Sequence, residues 1–225
     1  GSSSTLRPLP LLSVYRAIDE GAPTVTCEYW YKKMPGVEPR CERIFYTTVF
    51  DEAGRPETAY GVGMDITAQV QERENYRQAI ETLMSADTGA YAAYRLDLTK
   101  NLKIGGHSAD PLLEKTLASD TAEGFFSDLA SLIHDAAERE NYLAVCDRGR
   151  LLAAFAAGRT SFCAEYHRRS QDGAVRCVHS NVSLVRNPDT GDVECVVYGR
   201  DVTAQRGDEQ IFELVTNQEF DYVAI

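Results

Sequence analysis

An internal repeat constrains this sequence more than any other feature. The heptapeptide GMDITAQ at residues 63–69 returns as GRDVTAQ at residues 199–205, at an offset of 136 positions. With that offset the two copies align without a gap from residue 40 to residue 69. A repeat of this extent is about one small domain long. We therefore predict two copies of one folding unit in the 225 residues of the chain.

Each copy carries three strand-like segments separated by turn signals. In the second copy TSFCAEYHRR is followed by Asp172-Gly173, then VRCVHSNVSLV, the turn cluster NPDTGD and a third strand that ends in GRDVT. The first copy offers TVTCEYWYKKM, RCERIFYTTVF and ETAYGVGMDIT in the same order. Loops this short join antiparallel neighbours. Each copy is thus predicted to contain a three-stranded antiparallel meander.

Further elements precede the second meander. Residues 91–99 are strand-like, a second strand is predicted near residues 102–105, and Asp110-Pro111 is a helix start. Apolar residues recur at helical spacing over residues 125–136, and residues 147–159 predict another helix. The order of two strands, helices and three strands describes an α+β domain with one antiparallel sheet and its helices on one face.

The run FCAEYHRRSQDGAVRCV, continued by NPDTGDVECVVYGRDVT, resembles the second half of a PAS sensor domain of the S-box or PAC kind. In that family the sheet ends in a glycine followed by Asp-Ile/Val-Thr. The preceding DRGRLLAAFAAGRTSF looks like the helix that leads into those strands. The resemblance implies tandem PAS-like copies, as found in bacterial diguanylate cyclases and sensor histidine kinases.

The resemblance also implies a domain plan. Residues 7–69 correspond to the last helix and three strands of a partial copy, and residues 88–205 to a complete copy. Residues 70–87 would form a connecting helix. Residues 206–225 would form another connecting helix and the first strand of a third unit, and residues 1–6 are interpreted as a cloning scar or linker.

The function that the resemblance implies is sensory and non-catalytic. We expect a signal-transduction module of a multidomain bacterial protein, with a diguanylate cyclase or histidine kinase output domain outside this chain. The sequence contains no GxSxG, P-loop, Rossmann or HExxH pattern. RGDEQ at residues 206–210 lacks the second glycine and the phenylalanine of the GGDEF pattern. The alternative is a ligand-free PAS scaffold for homodimerisation.

A small-molecule pocket is expected between the sheet and the helices. The candidate lining residues are Tyr94, Phe125, Leu129, His134 and Phe155. Aromatic residues at helical spacing are, however, usually part of an ordinary packed core. The cofactor is unknown: no cysteine stands in the Asn-Cys-Arg context of the family's light-sensing members, and haem is not expected. For His134, a solvent-facing position at the edge of a helix is the alternative to a role in the pocket.

The repeated motif supplies candidate signal-relay residues, namely Asp65, Thr67, Asp201 and Thr203. In each copy a strand ends and a charged, helix-prone stretch begins. Either the aspartate or the threonine of each copy is therefore predicted to accept hydrogen bonds from free N–H groups of the next helix. An ordinary helix N-cap without a signalling role would explain these hydrogen bonds. The resemblance adds that the same junction passes strain from the sheet to a signalling helix, and the two interpretations are compatible.

The sequence of the connecting helix predicts contact with a second helix. Its apolar residues form a narrow stripe that suits a contact between two helices, which favours a homodimer. The stripe consists of Val70, Tyr76, Ile80 and Leu83. A further hypothesis is that FDYVAI at residues 220–225 pairs with the edge of the strand at residues 57–67, left free by the incomplete first copy.

Composition excludes several classes of function. A formal net charge of −11 provides no basic surface for nucleic acid, and no apolar run approaches the roughly 20 residues that span a bilayer. We expect a cytoplasmic protein.

The six cysteines have no metal-ligand spacing and are predicted to be buried free thiols. The hairpin turn would place Cys163 opposite a position near 182 rather than opposite Cys177, which disfavours a disulfide between these two strands. The 136-residue offset aligns Cys163 with Cys27.

Overall fold

The computed structural model describes residues 10–32, 36, 38–85 and 90–207. They belong to two compact units that divide between Glu74 and Asn75. In the described part of the chain, no helix combines the length and apolar character that crossing a bilayer requires. The predicted strand at residues 220–225 lies outside the described residues.

The first unit is a helix packed on a three-stranded antiparallel sheet. Helix α1 (Pro10–Asp19) precedes strands β1 (Thr24–Tyr31), β2 (Arg40–Phe50) and β3 (Pro56–Asp65), which lie in the order β1-β2-β3. The predicted meander is confirmed.

The core of the first unit is small because α1 covers only one face of the sheet. Val14 and Ile18 of α1 pack against the buried Cys27 of β1, with Val25 and Ile44 alongside. Strand side chains alternate between faces, so every second residue points away from α1. All ten residues of β3 are exposed, and among the described strands β3 pairs only with β2.

Helix α2 (Thr67–Met84) follows β3 directly, and the boundary between the units falls inside it. The predicted connecting helix covered residues 70–87. In the structure the helix begins three residues earlier, at Thr67, because the side chain of Asp65 accepts the N–H of Thr67. None of its described side chains is fully buried.

The second unit is an α+β domain, which confirms the predicted fold class. Its strands are β4 (Ala92–Asp97), β5 (Leu102–Ser108), β6 (Ser161–Arg169), β7 (Val175–Arg186) and β8 (Val193–Asp201). They form one antiparallel sheet in the order β5-β4-β8-β7-β6. The last strand, β8, is therefore central and pairs with the first strand, β4.

Four helices connect β5 to β6 in this unit: α3 (Pro111–Thr116), α4 (Ala122–Ser131), α5 (Ala136–Val145) and α6 (Arg148–Ala156). Each begins with a side chain that accepts a backbone N–H of the first turn, which satisfies a donor that the helix itself cannot. The capping residues are Asp110, Thr121, Asp135 and Asp147. The prediction of a helix start at Asp110-Pro111 is confirmed.

The single helix predicted over residues 125–136 is wrong. Helix α4 ends at Ser131, and Ile133 forms an isolated antiparallel bridge with Arg168 before α5 begins. His134 lies in this interruption, is exposed, and donates its backbone N–H to the carbonyl oxygen of His167. The prediction that His134 lies on a helix is therefore also wrong, because Asp135 caps a new helix directly after it.

Strand register corrects the prediction for one cysteine. Cys27 lies opposite Ile44 in the first unit, whereas the residue opposite Ser180, which is equivalent to Ile44, is Ala164. Arg40 pairs with Tyr31, nine positions before it, whereas the equivalent Arg176 pairs with Arg168, eight positions before it. This shift of one residue places the aligned Cys163 on the other face of its strand, where it is exposed. The other five cysteines are buried, and all six are free thiols.

The predicted absence of a disulfide across the second hairpin follows the same register. Cys163 lies opposite Asn181, one position from the residue predicted, and Cys177 lies opposite His167.

Candidate functional site

The interior between the sheet and the helices of the second unit is closely packed. Tyr94, Phe125 and Leu129 surround a cavity of about 10 Å³, which has room for about one water molecule. The Tyr94 and Phe125 rings lie 5.1 Å apart at 54°, the tilted geometry of packed aromatic residues. The structure thus brings three of the five predicted pocket residues together, as part of the hydrophobic core.

The polar end of Tyr94 is used within the unit. Its hydroxyl donates to Oε2 of Glu114 at 3.1 Å, and the same carboxylate accepts the backbone N–H of Ser108 at 3.1 Å. Burial, reinforced by the neighbouring carboxylate, raises the pKa of Tyr94 above its usual range. The hydroxyl therefore stays protonated and fixes the ring in place.

The other two predicted pocket residues do not line this cavity. His134 lies in the exposed turn between α4 and α5. Phe155 packs at the edge of the core, where the guanidinium of Arg186 lies 5.2 Å from its ring centre. Their places are taken by residues of the sheet, including Tyr166 and Val197, whose inward orientation follows from strand alternation.

A second and larger space opens at the end of the sheet where β8 finishes. This cleft has a volume of about 500 Å³. Its wall includes Tyr91, Asp110, Arg168, Ser170, Arg176 and Asp201. Only Asp201 was predicted as a site residue, because the others are separated by up to 85 positions in the sequence and carry no spacing pattern.

Arg168 is a buried cation in the wall of the cleft. Its side chain is only 2% exposed and donates from Nη1 to Oδ2 of Asp110 at 2.6 Å and from Nε to the hydroxyl of Tyr91 at 3.1 Å. Burial alone would raise the pKa of Asp110, but the hydrogen bonds and charge of Arg168 lower it below its ordinary value. The pair is thus fully ionised near neutral pH.

Arg176 joins the other side of the cleft. Its Nη1 donates to Oδ2 of Asp201 at 3.0 Å, and its Nη2 donates to Oδ2 of Asp172 at 2.7 Å. The arginine therefore ties the β6–β7 turn to the last residue of β8. Nearby, the hydroxyl of Ser170 is buried without a hydrogen-bond partner among the described residues.

The end of β8 is held by a compact set of hydrogen bonds. Oδ1 of Asp201 accepts the backbone N–H of Thr203 at 2.9 Å and its hydroxyl at 2.6 Å. The Thr203 hydroxyl accepts the backbone N–H of Cys177 at 2.9 Å, and Val202 donates its N–H to the carbonyl of Cys177. The junction (Asp201–Thr203 with Cys177) thus fixes the first helical residue, at 203, to both β8 and β7.

The first unit contains the same junction. Asp65 accepts the N–H of Thr67 at 3.0 Å and its hydroxyl at 2.6 Å, and the Thr67 hydroxyl accepts the N–H of Cys41 at 2.9 Å. Arg40 pairs with Asp65 at 3.1 Å, as Arg176 pairs with Asp201. The aspartates accept a helical N–H as predicted. The threonines do not, because each hydroxyl accepts from the neighbouring strand instead.

In the second copy, packing against Tyr91 requires the glycine of the repeated motif, Gly199. A Cβ atom on Gly199 would stand 3.2 Å from the hydroxyl oxygen of Tyr91, closer than an ordinary van der Waals contact. Glycine therefore lets Tyr91 lie against β8, where its hydroxyl accepts the hydrogen bond from Arg168.

Comparison with known proteins finds no match among protein-family models and none among curated proteins. Similar solved structures include an RNA-binding light-oxygen-voltage receptor, at 14% identity over 92% of this chain and 86% of that chain, with a TM-score of 0.36. The N-terminal domain of a diguanylate cyclase with PAS/PAC sensor from Marinobacter aquaeolei matches at 16% identity over 51% of this chain and 97% of that chain, with a TM-score of 0.32. A sensory box histidine kinase/response regulator from Burkholderia thailandensis matches at 18% identity over 60% and 95%, with a TM-score of 0.32.

The second unit has the predicted PAS-like architecture. Five antiparallel strands form the sheet, the last strand is central and pairs with the first, and the helices lie between the second and third strands. This is a PAS fold. We refer to the second unit as the PAS unit.

The chemistry that the PAS unit offers is recognition by charge and hydrogen bonding. Its cleft combines two arginines and three aspartates with the apolar side chains of Ala109 and Pro111. Among the described residues, no three His, Cys, Asp or Glu side chains are grouped as a metal site. The arrangement can hold a small polar molecule beside the junction.

Proposed function

We propose that this chain is a non-catalytic sensory and signal-transduction module of a multidomain, cytoplasmic bacterial protein. A small ligand or partner bound by the PAS unit would be relayed through the junction to the helix that follows β8. The observation that carries the proposal is the double role of Asp201. Its carboxylate lines the cleft and also holds the first helical residue through Thr203.

The cleft is a better ligand site than the interior. Small-molecule sites typically have volumes of about 300–1,000 Å³, and the cleft has about 500 Å³ whereas the interior cavity has about 10 Å³. This moves the proposed site from the predicted interior residues to the end of the sheet.

The ion pair between Arg176 and Asp201 suggests how binding reaches the helix. A ligand that carries a carboxylate or phosphate would compete with Asp201 for the guanidinium of Arg176, whose side chain is 40% exposed. Loss of that partner would free the Asp201 carboxylate to move, and with it the anchor of Thr203. A ligand shifts the equilibrium only by its difference in affinity for the two arrangements.

Ligand binding can be tested with a panel of small carboxylates and phosphates, using the melting temperature and hydrogen exchange of the full chain. We expect at least one compound to raise the melting temperature and to change the exchange of amides at residues 203–207. Arg176→Gln should abolish both effects, whereas Arg55→Gln, in an exposed ion pair of the first unit, should leave them unchanged. Binding that is unaffected by Arg176→Gln would place the ligand elsewhere and refute the relay.

The alternative function is a ligand-free scaffold for homodimerisation through the connecting helices. The stripe on α2 favours it, since Val70, Tyr76, Ile80 and Leu83 are each only partly buried. Native mass spectrometry and an absorption spectrum separate the two functions. A bound mass or chromophore supports sensing, while a dimer of bare polypeptide that Leu83→Glu dissociates supports the scaffold.

The proposed domain plan is a partial PAS copy over residues 7–69, a connecting helix, and the complete PAS copy at residues 88–205. The two junctions with matching hydrogen bonds support it. The third unit proposed for residues 206–225 extends beyond the described residues, and a catalytic output domain belongs to the proposed full-length protein.

A further inference from the structure

The sheet of the first unit has one face that is rich in exposed apolar side chains. Helix α1 packs on the face that carries Cys27 and Ile44. The residues that alternate with these point the other way, and six of the large ones are between 41% and 70% exposed. These six, which we call the outer face, are Trp30, Phe45, Val49, Tyr60, Val62 and Met64.

Strand register makes the outer face continuous. Phe45 lies directly opposite Val62, and Tyr60 and Met64 flank Val62 on the same side of β3. Side chains opposite one another on antiparallel strands have Cβ atoms about 4.5–5.5 Å apart, and diagonal neighbours are within reach of aromatic rings. The exposed side chains of β2 and β3 therefore form one patch. Trp30 of β1 lies on the same face, opposite Cys41 and next to the Glu28–Arg43 pair.

The PAS unit provides an internal contrast. Its positions equivalent to Tyr60 and Thr58 are Val196 and Glu194, and these are 0% and 2% exposed. There Tyr76 of α2 donates its hydroxyl to Oε2 of Glu194 at 2.7 Å. The same side of the same sheet is covered in one unit and exposed in the other.

The size of the outer face indicates what would cover it. For side chains of this size, the exposed fractions amount to roughly 600–700 Å² of apolar surface. That exceeds the largest patch on a typical monomer, about 300–600 Å², and approaches the roughly 800 Å² that each partner contributes to a standard interface. We propose that a second copy of this chain docks here, with outer face against outer face around a two-fold axis.

The charges beside the patch are compatible with such a symmetric contact. Arg43 and Glu28 form an ion pair of 2.7 Å on the same side of the sheet. Because a two-fold interface brings a surface against itself, a surface that offers both signs is self-complementary. The net charge of −11 opposes association between copies, so added salt should strengthen the dimer.

Sedimentation velocity over a range of concentrations tests the inference. We expect a reversible dimer in the full chain that Val62→Arg and Tyr60→Arg each weaken by about tenfold or more, as loss of a central contact residue does. These two side chains are the most exposed of the patch, so folding should survive, which circular dichroism verifies. Ile104→Arg is the control, because Ile104 is an exposed apolar residue, 47% accessible, on β5 of the PAS unit.

The environment of Trp30 gives a second readout. Trp30 is the single tryptophan and lies on the outer face, so its fluorescence should shift to shorter wavelength with rising concentration in the unaltered chain and in Ile104→Arg, but not in Val62→Arg.

Two results would overturn the inference. One is a chain that stays monomeric at high concentration and high salt. The other is a dimer that both arginine substitutions leave intact while Leu83→Glu dissociates it, which would assign the contact to α2 instead.

Discussion

The buried arginine of the cleft shows how one residue can combine stability with a site. Arg168 is the largest fully buried side chain among the described residues, yet it carries a charge. Removing a charged group from water costs several kcal/mol, which only a close partner and further hydrogen bonds offset. Asp110 and Tyr91 provide these. Because Asp110 also caps α3, the pair connects β6 to the start of the helical layer.

Replacing Arg168 should therefore be costly. Arg168→Met leaves the carboxylate of Asp110 without its cation, and we expect the PAS unit to lose about 3 kcal/mol of unfolding free energy. Arg176→Met is the control: it removes an arginine from Asp172 and Asp201, but the side chain is 40% exposed, so about 1 kcal/mol or less is expected. Urea unfolding followed by circular dichroism measures both, and equal losses would contradict the argument.

The exposed thiol gives a second test at single-residue scale. Cys163 is the one exposed cysteine of the six, all of which lie in the described part of the chain. Burial raises the pKa of Cys146 to about 12 and that of Cys195 well above its usual value, so these remain unreactive thiols. A thiol reagent should modify one cysteine rapidly in the native protein. Cys163→Ser should abolish the rapid phase, whereas Cys27→Ser should preserve it.

The sequence could predict most single residues of the junction but not those of the cleft. A repeated Asp-x-Thr at the end of a strand is visible as a pattern. Arg168 shares one face of β6 with the apolar Tyr166, but it is charged and stands between the exposed His167 and Arg169. Its burial depends on Tyr91 and Asp110, which are 77 and 58 positions away. Cys163 was misassigned because a register shift of one residue reverses the face of a strand.

At the scale of elements, the junction works as a three-way connection. The hydroxyl of Thr203 donates to the strand that ends and accepts from the strand beside it, and its backbone begins the helix. The first helical residue is therefore held by both β7 and β8.

Removing this hydroxyl should loosen the connection. Thr203→Val keeps the shape but leaves the N–H of Cys177 unpaired, and we expect the PAS unit to lose about 1 kcal/mol of unfolding free energy. The amide of Cys177 should exchange faster in hydrogen-exchange measurements. Thr203→Ser retains the hydroxyl and should behave like the unaltered chain, so faster exchange in both variants would count against the assigned hydrogen bond.

Helix α2 is attached to the PAS unit by a buried polar group. Glu194 is 2% exposed and accepts from Tyr76, from Nε of Arg95 at 2.6 Å and from the amide of Asn187 at 2.8 Å. Since burying an unpaired carboxylate is costly, these three donors act together. The sequence predicted Tyr76 as part of an apolar stripe and missed its polar contact, because the partner lies 118 positions away.

Element prediction succeeded where local signals were complete. The strands alternate and are bounded by turn residues, so the meanders and their order followed from the sequence. The helical layer was harder, because the apolar spacing over residues 125–136 continues across the break between α4 and α5. Only the bridge between Ile133 and Arg168, a tertiary contact, ends the first helix.

At the scale of the whole molecule, the charge pattern predicts sensitivity to acid. Hydrogen bonds from Thr67 lower the pKa of Asp65. Burial raises the pKa of Asp110 and Asp201, but their hydrogen bonds and arginine partners outweigh it and lower both values overall. Between the folded and unfolded pKa values the unfolded chain binds more protons, so stability rises with pH in that range.

The melting temperature should therefore be level above the ordinary aspartate pKa of about 4 and fall below it. Differential scanning calorimetry between neutral pH and strongly acidic buffer measures this. Asp201→Asn should flatten the acid slope of the PAS unit and leave that of the first unit unchanged, with Trp30 fluorescence reporting the first unit. If the melting temperature of the PAS unit falls with acid equally steeply in the variant, Asp201 does not contribute to the acid sensitivity.

The repeated junction has a consequence for how such chains lengthen. All of its hydrogen bonds lie within one unit, between the last strand, its neighbour and the first residue of the helix. A gene segment that begins in one connecting helix and ends in the next can then be duplicated without breaking any of these contacts. Each added copy would arrive with its own strand-to-helix connection intact, so a protein of this design can gain or lose whole units in evolution by unequal recombination.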